Sequence, residues 1–332
     1  MERIEFAIIG CGLIGQKRAK AIAAQTRAVL VACVDTDLSR AQALASHYHC
    51  LAFNDARKML STVNPDAVII ATTHESLSSL GLAVLRSKKH LFLEKPAGRN
   101  SEEVSQLMRL SNENKRCVRV GFNHRYHRAF QKAKKIIDNG DIGELMFVRA
   151  RYGHGGRIGY DREWRANPAL SGGGELIDQG VHLIDLSRWL LGDFTEISGF
   201  AHTYFWNMPV EDNGFLLLKT PKQQVAFLHA SCTEWKNIFS FEIYGKTGKL
   251  HIEGLGGSYG VERLSFYKML PEMGPPETYI EEFPMADCSW DVELEEFIKD
   301  IRLKRVSAPG LRDAYEALRV VESVCALAPQ AL

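Results

Sequence analysis

Ile4-Glu5-Phe6-Ala7-Ile8-Ile9-Gly10-Cys11-Gly12-Leu13-Ile14-Gly15 is a short apolar run that ends on glycines in a G-x-G-x-x-G spacing. The run reads as a buried strand, and residues 16–25, rich in Ala and Lys, read as the helix that follows. In that setting each glycine has a mechanical task. Gly10 permits the tight turn, Gly12 lets backbone approach a pyrophosphate, and Gly15 lets the helix pack closely on the sheet. The phosphates would sit at the helix N-terminus, where unpaired N–H groups and the dipole favour negative charge.

Working outward, residues 29–34 form a second β-branched run that ends at Asp35, about 20 residues past the last glycine. Its carboxylate suits the two ribose hydroxyls of an adenosine and repels a 2′-phosphate. NAD(H) is therefore the preferred cofactor. NADP(H) stays possible through Arg40, whose guanidinium could meet a phosphate if it is not simply on a solvated helix face. Expected cofactor contacts are Gly10, Gly12, Leu13, Ile14, Gly15, Asp35 and Arg40. Helices at 39–47 and 77–86 alternate with strands at 67–71, 90–93 and 117–120. Ser101 is the expected N-cap of a further helix, with Glu102 and Glu103 in its first turn. Such alternation implies a parallel sheet with right-handed crossovers.

The strand at 90–93 runs into Glu94-Lys95-Pro96, and proline cannot continue a central strand. Strand ends of an open parallel sheet face the ligand crevice, which puts Lys95 where cofactor meets substrate. An ordinary loop lysine is the competing reading.

After Gly121 the alternation stops. A polar-aromatic segment, 122–128, precedes a helix to about residue 139. Strands follow at 145–152, 200–205, 215–219, 225–231, 239–244 and 251–253, and the short turns between several of them imply an open, largely antiparallel sheet. Helices would cover one face, and a second subunit the other, giving a homo-oligomer (dimer or tetramer) through the C-terminal sheet. Residues 269–284 read as a proline-rich loop, and 291–304 and 311–327 as amphipathic helices. Ser171-Gly172-Gly173-Gly174-Glu175 opens a helix at 176–191 that is apolar on most of its circumference, yet it carries Asp178, His182 and Asp185 on one face. Buried ionisable groups require partners or a ligand. A hydrogen-bonded Asp–His pair that merely locks a core helix explains the spacing equally well, and Asp185 is the member expected to be structural.

With 332 residues the chain should hold two domains. Its 41 Lys and Arg nearly cancel 40 Asp and Glu, which argues against nucleic acid or an anionic membrane as partner. Seven scattered cysteines without a CxxC spacing imply a reducing compartment and no metal site. Met1-Glu2-Arg3 leads directly into a strand pattern, so no signal peptide is expected, and no apolar run is long enough to span a bilayer. A cytoplasmic protein is the expectation.

Taken together, the glycine fingerprint, Asp35, Glu94-Lys95-Pro96, Gly172-Gly173-Gly174 with Asp178-x-Gly180-x-His182, and Tyr244-Gly245-x-x-Gly248 resemble the glucose–fructose oxidoreductase, inositol dehydrogenase and MocA family. The resemblance implies an α/β chain: an N-terminal Rossmann domain, 1–122, and a C-terminal α/β domain, 123–332, with a large open, mainly antiparallel sheet. It also implies Lys95, Asp178 and His182 as the catalytic group, and often a cis bond before Pro96. Family members commonly carry a Thr-Pro pair and a histidine after the strand matching 67–71. Here Thr72-Thr73-His74 lacks the proline and Leu77 stands at the histidine position. Thr72, Thr73, His74, Glu94 and Lys95 complete the expected cofactor contacts.

The implied reaction is hydride transfer between nicotinamide and a carbinol or ketone of a sugar, cyclitol or nucleotide sugar. Histidine suits a general base near neutrality, and lysine suits stabilisation of developing alkoxide. Asn123, Arg125, Tyr152, His154, Trp164 and Arg165 are expected to join Lys95, Asp178 and His182 around a small polyhydroxylated substrate. A non-catalytic NAD(P)-binding regulator or sensor of the same fold is the alternative.

Overall fold

The computed structural model describes residues 3–272 and 274–327, so Met1 and Glu2 of the strand-entry reading lie outside it. The chain divides into two compact units, one made of the residues up to Asn123 with Trp290–Glu316, the other of His124–Ser289 with the residues from Ala317.

In the first unit, β1 (Ile4–Ile9), β2 (Ala28–Val34), β3 (Leu51–Phe53), β4 (Ala67–Ile70), β5 (His90–Glu94) and β6 (Val118–Gly121) alternate with α1 (Leu13–Ala24), α2 (Leu38–Tyr48), α3 (Ala56–Thr62), α4 (His74–Arg86) and α5 (Ser101–Asn114). The strands lie in the order β3-β2-β1-β4-β5-β6, and every pairing is parallel. This is the doubly wound arrangement, and its strand order reverses between β1 and β4. β4 is apolar at all its positions because helices cover both its faces. Two expectations are corrected here. The N-cap of α5 is Asn100, whose side chain accepts from Glu103 N–H at 2.9 Å, and Ser101 is the first helical residue. The helix expected at 291–304 returns to this unit: Phe297 packs on Phe6 and Phe92, with Leu294 and Ile298 in the same core.

The second unit holds α6 (Arg128–Asp138), β7 (Leu145–Gly153), α7 (Pro168–Ser171), a π-helical turn at Leu176–Gly180, α8 (Val181–Leu191), β8 (Glu196–His202), β9 (Asn213–Lys219), β10 (Val225–Ser231), β11 (Ile238–Gly245), β12 (Gly248–Glu253), β13 (Glu262–Lys268) and β14 (Glu277–Phe283). The order is β14-β13-β12-β11-β7-β10-β9-β8, antiparallel except for the parallel pair β7–β10. β14 overturns the loop expected at 269–284, of which residue 273 lies outside the described residues. The π turn and α8 pack on β7 and β10, and α6 packs on β12 and β13. Leu176 seats against β9 so tightly that a Cβ on Gly214 would lie 2.2 Å from its side chain. Strand alternation sends Phe147, Phe200, Leu217, Phe227 and Ile280 outward, where they are exposed in the single chain. The remaining helices are α9 (Ser289–Leu303) and α10 (Leu311–Leu327). Among the described residues no helix is long and apolar enough to cross a membrane, and no His, Cys, Asp or Glu cluster could hold a metal ion. All seven cysteines are free.

Candidate active site

In the first unit the glycine loop sits between the ends of β1 and β4. Gly10 has φ +98°, its N–H donates to Val34 O at 2.8 Å, and a Cβ there would come within 2.4 Å of Ala71 O. At Gly15 a Cβ would meet Gly10 O at 1.9 Å, so α1 approaches β1 as only glycine permits. A Cβ on Gly12 would meet nothing within 4 Å. The loop is thus closed on its protein side and open at Gly12, the position required for a pyrophosphate at the α1 N-terminus. Leu13 is 70% exposed beside that opening and Ile14 is half-buried. Asp35 is tied to the same loop: Oδ2 accepts from Cys11 N–H at 2.8 Å and Oδ1 from Asp37 N–H at 3.0 Å. These bonds fix the carboxylate at the end of β2 and leave lone pairs for ribose hydroxyls. Arg40 pairs with Asp37 at 3.4 Å on an exposed helix face.

After β4, the Thr73 hydroxyl donates to Glu75 Oε1 at 2.7 Å, and the Ser76 and Thr72 hydroxyls lie 2.8 Å apart. His74 is buried at the start of α4. The loop, Asp35 and this segment fit an NAD cofactor.

β5 ends as expected. The Lys95–Pro96 bond is cis and Lys95 is half-buried. Glu94, expected on the cofactor, has another job. Its Oε1 accepts from Arg18 Nε at 2.6 Å, and the Arg18 guanidinium, fully buried, also meets Glu293 at 2.8 Å. The rings of Phe92 and Trp290 lie 4.2 and 4.5 Å from that guanidinium. A Cβ on Gly121 would collide with both Glu94 and Arg18. Glu94 therefore anchors the strand end that presents Lys95. Asn123 is buried at the end of this unit.

In the second unit the triple glycine is shaped by a residue that sequence reasoning did not single out. The Glu211 carboxylate accepts from Gly174 N–H at 3.0 Å and Leu176 N–H at 3.1 Å, satisfying donors at the helix entry. Burial pushes this carboxyl above its ordinary range. A Cβ on Gly174 would sit 2.0 Å from Glu211 O, which accounts for glycine there. The π turn then carries Asp178, and α8 carries His182, both largely buried.

Asp178 Oδ2 accepts from Arg165 Nε at 2.8 Å, and that guanidinium lies 4.6 Å from the Trp164 ring. Trp164, Arg165 and Asp178 thus lie together. His182 packs against His124, ring centroids 3.7 Å apart, and lies 6.2 Å from Tyr152. Burial raises the Tyr152 phenol well above its ordinary value. His154 Nδ1 accepts from Gly156 N–H at 2.9 Å, which places the neutral ring's proton on Nε2, 3.8 Å from Glu175 Oε1. Desolvation lowers the His154 pKa, favouring that neutral form.

Arg125 departs from expectation. Its Nε and Nη2 grip Asp185 at 2.8 and 2.6 Å, with both residues buried, so its fork is spent inside the unit and not on substrate. Asp185 is structural, as anticipated. Tyr259, in a glycine-rich loop, joins the cluster unannounced: its ring lies 5.1 Å from Tyr152, and its hydroxyl is 3.4 Å from Gln179 Nε2.

Two family models match the chain. Residues 4–122 match the oxidoreductase family model with an NAD-binding Rossmann fold, and residues 130–251 match the GFO/IDH/MocA C-terminal domain. Inositol 2-dehydrogenase of Rhizobium meliloti (strain 1021) is 31% identical over 194 residues, 57% of this chain and 56% of that protein. D-glucoside 3-dehydrogenase of Escherichia coli (strain K12) is 30% identical over 205 residues, 60% of this chain and 58% of that protein. The matched stretch thus spans little more than half the length of these relatives. A solved levoglucosan dehydrogenase in complex with NADH has the same fold, with TM-score 0.86, 21% identity, and coverage of 99% of this chain and 100% of that one. Both halves of the chain, the glycine loop with its acid and the Asp-x-Gly-x-His turn, place it in the GFO/IDH/MocA oxidoreductase family.

Proposed function

We propose that the protein is an NAD-dependent dehydrogenase that oxidises a secondary carbinol of a sugar, cyclitol or nucleotide sugar, or reduces the matching ketone. The observation that carries this reading is the conjunction, in one chain, of a glycine loop open at Gly12 with a buried imidazole, His182, one turn from a paired carboxylate, Asp178. Inositol and glucoside dehydrogenases among the relatives support the substrate class.

NAD, when bound, supplies the hydride acceptor. His182 takes the hydroxyl proton on an imidazole nitrogen as the C–H electron pair leaves the same carbon and the C=O bond forms. Lys95 donates a hydrogen bond to the reacting oxygen and stabilises its developing negative charge. Asp178, held by Arg165, orients a neighbouring hydroxyl, with the Trp164 face as an apolar wall for the ring. Asn123, Tyr152 and His154 are further candidate substrate contacts. Thr72, Thr73 and His74 are proposed to line the nicotinamide half, and Asp35 selects NAD over NADP by its charge. The exposed apolar face of the eight-stranded sheet is proposed to be covered by a second copy of the chain.

The test is NADH absorbance on a panel of polyols, aldoses and sugar nucleotides, with His182→Ala and Lys95→Ala alongside. Turnover lost in both variants with NAD affinity retained supports the assignment. Near-normal rates in both would remove it. NAD binding with no turnover across the panel would favour a non-catalytic sensor. Light scattering at micromolar concentration tests assembly, and a monomer would refute the covered face.

A further inference from the structure

His124 has no role in the reaction as drawn, yet its environment is specific. It is 5% exposed, and its ring lies 3.7 Å from that of His182 at a 51° tilt. The other faces meet Tyr152 on β7 at 5.2 Å, Phe239 on β11 at 6.0 Å and His127 at 5.6 Å. His127 in turn has Nδ1 at 3.0 Å from Glu262 Oε2 on β13 and at 3.9 Å from Asp287 Oδ1. All these residues belong to the second unit.

Two imidazoles in van der Waals contact and out of water cannot both be cationic, because like charges at that range strongly disfavour the second proton. The groups around them decide where a single proton rests. On the far side of His124 stands His127, which itself meets the Glu262 and Asp287 carboxylates, so negative charge lies one ring beyond His124 when these are ionised. On the His182 side the nearby carboxylate, Asp178, already faces Arg165 at 2.8 Å, while the neutral phenol of Tyr152 borders both rings, 5.2 Å from that of His124 and 6.2 Å from that of His182. Positive charge is therefore better accommodated on His124.

We propose that His124 is a positioning residue for His182: the two stacked imidazoles hold one proton between them at most, that proton rests on His124, and His182 is thereby kept neutral to receive the substrate's proton. The proposal rests on the reading of His182 as the base. It predicts a base competent at lower pH than a lone buried-edge histidine would be, since protonation of the pair is met first by the residue that does no chemistry.

The test has two arms on the full-length protein. In the first, kcat/KM against pH is compared for wild type, His124→Phe, which keeps the ring contact, and His124→Asn, which keeps a polar group. Both variants should move the acid limb upward by about one pH unit or more, with NAD affinity unchanged. A structural role alone would scale the whole profile without moving the limb, and an acid limb that stays or falls would overturn the proposal. In the second arm, histidine-labelled protein is titrated by nitrogen NMR without substrate. Removing either His124 or His182 should bring the remaining imidazole back toward ordinary titration, and indifference of each to the other's loss would overturn it. Turnover surviving in His182→Asn with the imidazoles still coupled would remove only the base reading. Uncoupled imidazoles with His182 still essential would remove only the role of His124.

Discussion

Glu293→Gln should change how the stability of the protein depends on pH. The Glu293 carboxylate is fully buried on α9, 2.8 Å from the Arg18 guanidinium that also serves Glu94. Burial pushes its carboxyl from 4.5 up to about 7, with Arg18 pulling the other way and Glu94 adding like charge. A carboxyl that holds its proton more tightly in the folded chain stabilises the fold fully below about pH 4. That contribution is lost as pH rises through about 7. The separation of about 2.5 pH units, at ~1.4 kcal/mol each, makes the loss on the order of 3 kcal/mol between pH 4 and pH 8. Glutamine cannot ionise. The stability of the variant minus that of wild type should therefore rise by about 3 kcal/mol across that window, while groups common to both proteins cancel. In melting temperature this is roughly 6–12 °C, at 2–4 °C per kcal/mol for units of this size. Urea unfolding at five pH values, followed by tryptophan fluorescence, measures it, and Trp290 beside Arg18 is a local reporter. A flat or falling difference curve refutes the reasoning, because it would mean that Glu293 is ionised in the fold at the same pH as in the unfolded chain.

Other outcomes follow from the same contacts. Gly12→Ala should leave the melting temperature within a few degrees yet weaken NAD at least tenfold in a calorimetric titration, since its Cβ enters only the space reserved for ligand. Gly15→Ala, with its Cβ 1.9 Å from Gly10 O, should instead lose several kcal/mol of stability in a thermal melt. Arg125→Met should cost about 3–5 kcal/mol in urea by leaving Asp185 buried and uncompensated, with most of it recovered in Arg125→Met/Asp185→Leu. A stable Arg125→Met with only a raised KM would show that Arg125 touches substrate after all. Gly174→Ala should unfold the entry to the Asp178–His182 turn, seen as a drop of several kcal/mol, because its Cβ has Glu211 O at 2.0 Å.

The elements that were legible in the sequence are those whose cause is local. The glycine loop is one, since the turn at Gly10 and the close packing at Gly15 are demanded by neighbours a few residues away. The strands β1, β4 and β5 are others, because a strand covered on both faces carries a near-continuous apolar run, broken here only at Glu5 and at the two ends of β5. β14 was hidden by its position. Glu277-Thr278-Tyr279-Ile280-Glu281-Glu282-Phe283 lies at the sheet edge, exposed along most of its length, and a charged edge strand flanked by Pro276 and Pro284 has the composition of a loop. β3 spans only Leu51–Phe53, too short for alternation to register. The π turn is hidden for a different reason. The apolar spacing of 176–191 is satisfied nearly as well by one wide turn followed by α8 as by a continuous helix, and the bonds from Glu211 that open the helix come from 35 residues away.

The harder part of the site was telling charges that hold the fold from charges that face a ligand. Glu94, Arg125, Asp178 and Asp185 look alike in sequence, each a charged residue in an apolar or motif-bearing stretch. The structure separates them by where the opposite charge lies and whether water reaches it. The side chains of Arg125 and Asp185 are 6% and 1% exposed, and the Arg18 side chain facing Glu94 is 0% exposed. The guanidinium of each such pair has given up water already, and drawing its carboxylate away to a ligand would strand it at a cost of several kcal/mol. Arg165–Asp178 differs: the Asp178 side chain is 11% exposed but that of Arg165 is 35% exposed. Arg165 has solvent beside it, so this pair can open without leaving a buried charge alone, as the proposed role of Asp178 requires. A charge pair with one end in water is the kind that can hand its carboxylate to a ligand, and this distinguishes Asp178 from its neighbours on the same face.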